Sequence, residues 1–193
     1  MIPDMVLSSE PVVGGFLFPD NRLFNTYEDW ELAGIAHQDP SQGLEVKVWR
    51  AWLDRDNANI YVQPTDLSQP ALFIANAPES SFISLAFDGN MRVAVAWRIR
   101  NTMYFYWYDG QLNRYVTTTY TGARSPRLAM DDKRRMAGTW QDVLLFYIRD
   151  NQLCMRVQRE RYEIEHILAP VSQHHNLFRV GMSTKNRLQI EIR

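Results

Sequence analysis

A four-beat pattern of short apolar stretches returns roughly every 45–50 residues along this chain, and a strand-built repeat of that length leaves few architectures open. The first beat is a large residue before a small one: Leu32-Ala33, Leu85-Ala86, Leu128-Ala129 and Val180-Gly181. The second is an apolar strand at 46–53, 92–99 and 142–148, with Ala51-Trp52, Ala96-Trp97 and Phe146-Tyr147 at matching places. A third strand follows at 59–62, 102–107 and 152–157, and a fourth at 71–75, 114–120 and 162–168. Four strands per unit and four units predict an all-β fold, a small β-propeller of four blades. The rival is a β-sandwich, also built of many short strands, and the repetition favours the propeller.

The chain ends say how such a ring closes. After the third repeat only two beats remain, 177–182 and 186–192. Residues 15–27 resemble 105–109 followed by 113–117: a third strand, an acidic turn and a fourth strand. The chain therefore reads as one domain, 1–193, in which 1–30 is a terminal arm lending two strands to the last blade. Middle strands of stacked blades are covered on both faces and should be continuously apolar, as 103–108 and 143–148 are. Ala33, Ala86, Ala129 and Gly181 would let the innermost backbones approach. Arg114, Thr117–Thr119, Glu163 and Glu165 would keep the outer strands from pairing with other chains. Asp88-Gly89 and Asp109-Gly110 mark hairpin turns, and Pro40, Pro64, Pro70, Pro78, Pro126 and Pro170 fall between strands or at their starts. A weak capping signal at Thr26 allows one helical turn.

Composition excludes several function classes. With 46% hydrophobic and 12% aromatic residues, 193 residues can bury a core without a cofactor. A net charge of −1 gives no global field toward nucleic acid or an anionic membrane. No apolar run approaches the ~20 residues of a membrane span, and the N-terminus lacks a signal-peptide pattern. The single Cys154, on a middle strand, reads as a buried, inert thiol, and folding in a reducing cytoplasm follows.

Chemistry-bearing motifs are few. There is no nucleophile elbow, phosphate loop, dinucleotide fingerprint or metal-spaced histidine pair, so no catalytic, cofactor or metal residues are assigned and the chain reads as no enzyme. Asp88 and Asp131 follow equivalent first strands, where two carboxylates near an axis can bind a cation or act as acid and base; turn acceptors are the plainer reading. His174-His175 reads as a solvated loop. Trp30, Trp49 and Trp140 are either interface anchors or core.

The third repeat carries an insertion of about seven residues after its first strand, and insertions in repeat folds map to surface loops, often on the binding face. It holds Asp132, Lys133, Arg134 and Arg135. Three consecutive cations suit docking to an acidic partner surface, and suit a solubilising loop equally well.

Phe87-Asp88-Gly89-Asn90-Met91-Arg92, Tyr106-Trp107-Tyr108-Asp109, the stretches 125–134 and 142–149, and Gln158-Arg159-Glu160-Arg161-Tyr162 resemble a family of tailed-bacteriophage virion proteins. The similarity covers roughly residues 84–193. It implies a structural component of the tail or tail tip, present in multiple copies in a symmetric assembly, made in the host cytoplasm and carried in the virion. Its partners would be other tail or baseplate proteins, with no nucleic acid and no membrane insertion. A lectin-like propeller binding host-surface glycan is the alternative. A hydrolase would need two convergent carboxylates in a deep pocket.

Overall fold

The computed structural model describes residues 5–8, 30–39, 43–130, 142–182 and 188–193. Among them the chain forms strands and a single 3-10 turn, Gln158–Glu160. The first strand, β1 (Met5–Ser8), belongs to the last sheet. The first sheet is β2 (Trp30–Asp39), β3 (Gly43–Asp54), β4 (Asn59–Pro64) and β5 (Leu72–Asn76). The second is β6 (Ser80–Phe87), β7 (Val93–Ile99), β8 (Thr102–Asp109) and β9 (Arg114–Thr121). The third is β10 (Arg124–Met130), β11 (Val143–Arg149), β12 (Gln152–Val157) and β13 (His166–Pro170). Each is an antiparallel meander, paired in chain order. The fourth sheet joins β14 (Leu177–Met182) antiparallel to β15 (Leu188–Ile192), with β1 parallel on the other edge of β15. Among the described residues the chain is thus all-β, in four sheets, and the expected beats that fall there lie in strands except for the start of the one at 162–168.

The repetition reaches the backbone. The first strand bulges between Ser81 and Ser84 in β6, between Arg124 and Arg127 in β10, and between Leu177 and Arg179 in β14. Phe82 and Ser125, in the bulges of β6 and β10, take left-handed φ values, 56° and 51°. Pro126 sits inside this bulge and not at a strand start, because the broken ladder there asks for no N–H. After each fourth strand one amide returns to the hairpin between the second and third: Ala77 N to Ala58 O, Gly122 N to Asn101 O and Val171 N to Asn151 O, at 2.7–2.8 Å.

Neighbouring sheets meet face to face through three apolar clusters. Ala51, Ile60 and Val62 of the first sheet pack on Val93, Val95 and Trp97 of the second. The second sheet's other face places Ala96, Met103, Phe105 and Trp107 against Val143, Leu145 and Tyr147. Phe146, Ile148 and Met155 then meet Val180, Leu188 and Ile190 of the fourth. First strands touch in sequence, β2 to β6, β6 to β10 and β10 to β14, where the small Ala86, Ala129 and Gly181 are buried. Continuous burial holds for β7 (Val93 to Trp97) and β11 (Val143 to Ile148), each covered on both faces.

It fails at β8, where buried and half-buried residues alternate: Met103, Phe105 and Trp107 face the third sheet, while Tyr104 and Tyr106 are only partly covered against the first cluster. The outer strands are also less polar than expected. Thr117, Thr119 and Thr121 are exposed, and so are Leu72, Phe73 and Ile167. Glu165 is half-buried and takes the guanidinium of Arg149, because Arg149 and Arg156 both project to its side of the sheet. The fourth strand of the third sheet begins at His166, not 162, since the chain first winds through the 3-10 turn and Arg161 turns it with a φ of 53°. Residues 15–27, expected to add two strands to the last sheet, lie within 9–29, outside the described residues; the strand beside β15 is Met5–Ser8, and it runs parallel.

Candidate functional site

One end of the second and third sheets carries the β6–β7 turn, the β8–β9 turn and the segment after β12, and between them opens a groove of about 760 Å³. Each wall is built by an aspartate that a turn requires. Asp88 Oδ1 accepts from the amides of Asn90 and Arg92, both at 2.9 Å, which folds the hairpin back on itself. Asp109 Oδ1 does the same for Gln111 (2.8 Å) and Leu112 (3.2 Å). Across the groove, Gln158 donates from Nε2 to Asp88 Oδ2 at 3.3 Å while its Oε1 accepts from Val143 N at 3.0 Å. The left-handed turn at Arg161 aims that side chain at the second sheet, where Nη2 donates to Asp109 Oδ2 at 2.6 Å. Arg159 pairs with Asp142 on the third sheet's own side.

Burial alone would raise the pKa of Asp109, whose side chain is 1% exposed, but the hydrogen bond from Arg161, the two turn amides and the Arg161 charge outweigh it, so the pKa is lowered. The carboxylate is held ionised. Beneath the groove Tyr162 is fully buried, edge-on to Phe105 (4.6 Å) and Trp107 (4.8 Å), and donates to Val143 O at 3.1 Å. Burial pushes its hydroxyl far above the usual phenol range. Trp107 Nε1 donates to Thr118 Oγ1, and the Arg92 guanidinium covers the Tyr108 ring at 3.7 Å.

Three aspartates thus face three arginines, and the lining is neutral. Each carboxylate is engaged by a guanidinium, an amide or a turn N–H. Asp109, held ionised, makes a poor proton shuttle. The lining also includes Asn90, Arg92 and Gln111, whose side chains can hydrogen-bond.

Asp88 therefore sits where a turn acceptor belongs, while Asp131 and the loop residues Asp132, Lys133, Arg134 and Arg135 lie outside the described residues. The described residues resume at Asp142, which lines the groove. His174 and His175 are exposed on the loop before β14. Cys154 is buried, and desolvation pushes its thiol up to about 11. Trp49 packs into the first cluster with its ring 5.4 Å from Phe87, a core residue; Trp140 is outside the described residues. The groove's Asp109, Asp142, Gln158, Arg159 and Arg161 escape sequence reading as a site because they come from three separate segments. Among the described residues no three His, Cys, Asp or Glu side chains gather in a way that would hold a metal ion, and no helix is long and apolar enough to cross a membrane.

Comparison with family models, curated proteins and solved structures gives no match to this chain.

Proposed function

We propose that the four sheets close into a four-bladed β-propeller and that this ring is a non-enzymatic structural module of a tailed-phage virion, a rigid β platform in the tail or tail tip that docks to other virion proteins. The resemblance of residues 84–193 supplies the assembly. The observation that carries the docking role is that Asp142, the first described residue after Lys133, Arg134 and Arg135 in the chain, lines the groove. Fixed ion pairs under a neutral, hydrogen-bonding lining suit a recognition surface, since they need no reorganisation when a partner arrives. The chain-wise contacts of β2, β6, β10 and β14, with their repeated bulges, support the ring.

A second reading, a glycan-binding ring, is favoured by the convergence of Asn90, Arg92 and Gln111 on one groove. The test supplies wild-type or K133E/R134E/R135E copies to a phage lacking the gene and measures incorporated protein and infectious titre. The docking role predicts unchanged melting, reduced incorporation and reduced titre. Normal incorporation and titre would reject it, and normal incorporation with lost adsorption would transfer the role to glycan binding.

A further inference from the structure

The register of the second strands assigns a partner to the two sheet faces at the ends of the array. Each first-strand beat sits opposite one second-strand residue: Leu32 opposite Arg50, Leu85 opposite Val95, Leu128 opposite Leu145, Val180 opposite Ile190. Arg50, Val95, Leu145 and Ile190 are therefore equivalent, and so are the residues one further on, Ala51, Ala96, Phe146 and Glu191. The three packed interfaces follow one rule. Val95 of the second sheet shares a cluster with Ala51 of the first, Leu145 of the third with Ala96 of the second, and Ile190 of the fourth with Phe146 of the third. Carried once more round, the rule pairs Arg50 of the first sheet with Glu191 of the fourth.

Side-chain chemistry agrees. Ala51, Ile60 and Val62 face the second sheet, so by strand alternation Arg50, Trp52, Tyr61 and Phe73 face the other way. Leu188 and Ile190 face the third sheet, which turns Gln189, Glu191 and Arg193 outward. Trp52, Tyr61 and Phe73 form a ladder at 5.6 and 6.0 Å, headed by the Arg50 guanidinium 4.4 Å over Trp52. Glu191 is 0% exposed; its Oε1 accepts from Arg193 Nε at 2.6 Å, and its Oε2 is buried with no hydrogen-bond partner. Arg50 Nε is likewise buried without one. A buried carboxylate oxygen and a buried guanidinium N–H left unpaired are both costly, and each supplies what the other lacks. Chain continuity tethers the faces, since β1 of the fourth sheet leads through residues 9–29 to β2 of the first.

We infer that the outward faces of the first and fourth sheets pack on each other within one molecule, with an Arg50–Glu191 ion pair standing where the other three interfaces have apolar contacts. This rests on the closed propeller proposed above and names the contact that closes it. An ion pair between these faces would set register more than it adds stability.

The test uses the whole chain. R50E and E191R should each lower the melting temperature by at least ~5 °C, and the charge swap R50E/E191R should recover most of that loss. Because the single reversals can fail to fold, the conservative R50K variant is treated with a carbodiimide, which should join position 50 to Glu191 within one chain, as read by mass spectrometry of mixed ¹⁴N and ¹⁵N protein. Wild-type melting of E191R, a swap no better than the worse single variant, an R50K chain without the cross-link, or a cross-link found only between isotopically mixed chains would each overturn the inference. X-ray scattering of the wild-type chain separates the two failures: a compact ring without the pair sinks the pair alone, whereas an open arc sinks the closed propeller as well.

Discussion

Replacing Asp109 with asparagine probes the latch beneath the groove. The carboxylate, 1% exposed, accepts from Arg161 on the third sheet and from the amides of Gln111 and Leu112 in its own turn. Asparagine keeps one carbonyl oxygen for the turn, which points its NH₂ at the Arg161 guanidinium, donor against donor. A hydrogen bond to a charged group contributes about 1.5–3 kcal/mol, so D109N should cost about 2–3 kcal/mol. The Arg161 side chain is 35% exposed and regains water when released, so R161A should cost less than D109N. The double variant should cost little more than D109N, because both changes break one contact.

Urea unfolding of the four proteins at pH 7 measures this, and acid adds an independent check. The folded pKa of Asp109 lies below its unfolded value, so its contribution is complete above the ordinary aspartate range and is lost as pH falls through the lowered folded value. The wild-type advantage over D109N should therefore shrink as the solution is acidified below the ordinary aspartate range. A D109N cost below about 0.5 kcal/mol, additive single costs, or a gap unchanged in acid would refute the latch.

Trp97, 2% exposed and stacked on Tyr104 at 5.7 Å, should cost roughly 3–5 kcal/mol when changed to alanine; a loss under about 1 kcal/mol would mean that its cluster does not hold the first and second sheets together. Tyr162→Phe should cost about 1 kcal/mol for the bond to Val143 O, and Tyr162→Ala several times that for the lost ring, measured by the same unfolding; equal costs would show that ring packing is not what matters there. Cys154, with its thiol pushed up to about 11, should resist iodoacetamide at pH 8 in the native chain and react in urea; native labelling at a free-thiol rate would contradict its burial. Deleting residues 1–27 removes β1 from β15 and should abolish cooperative melting or cause aggregation, and a soluble truncation with an unchanged melting curve would deny the terminal arm its role.

Strand order was legible because it depends on local pattern. Ala96-Trp97 and Phe146-Tyr147 announce second strands through apolar runs that only double-sided burial tolerates, and β7 and β11 have that burial. The alternation in β8 was not legible, since Tyr104 and Tyr106 count as apolar in a run although each keeps a polar tip that half-burial accommodates. Glu165 reads as a solvated edge residue until Arg149 and Arg156 are seen to converge on it. The groove lay deeper still. Asp88 and Asp109 are visible as turn residues, but the side chains that turn them into a site, Gln158 and Arg161, lie 70 and 52 residues away along the chain. Only sheet packing and the left-handed turn at Arg161 bring them together.

The most direct measurement is electron cryomicroscopy of particles assembled with and without this chain. A four-bladed ring in the tail or tail tip, touching neighbouring proteins through the end that carries the Asp88 and Asp109 turns, is the result expected. Particles of normal composition and titre that lack the chain, or density showing an open array of sheets, would contradict it.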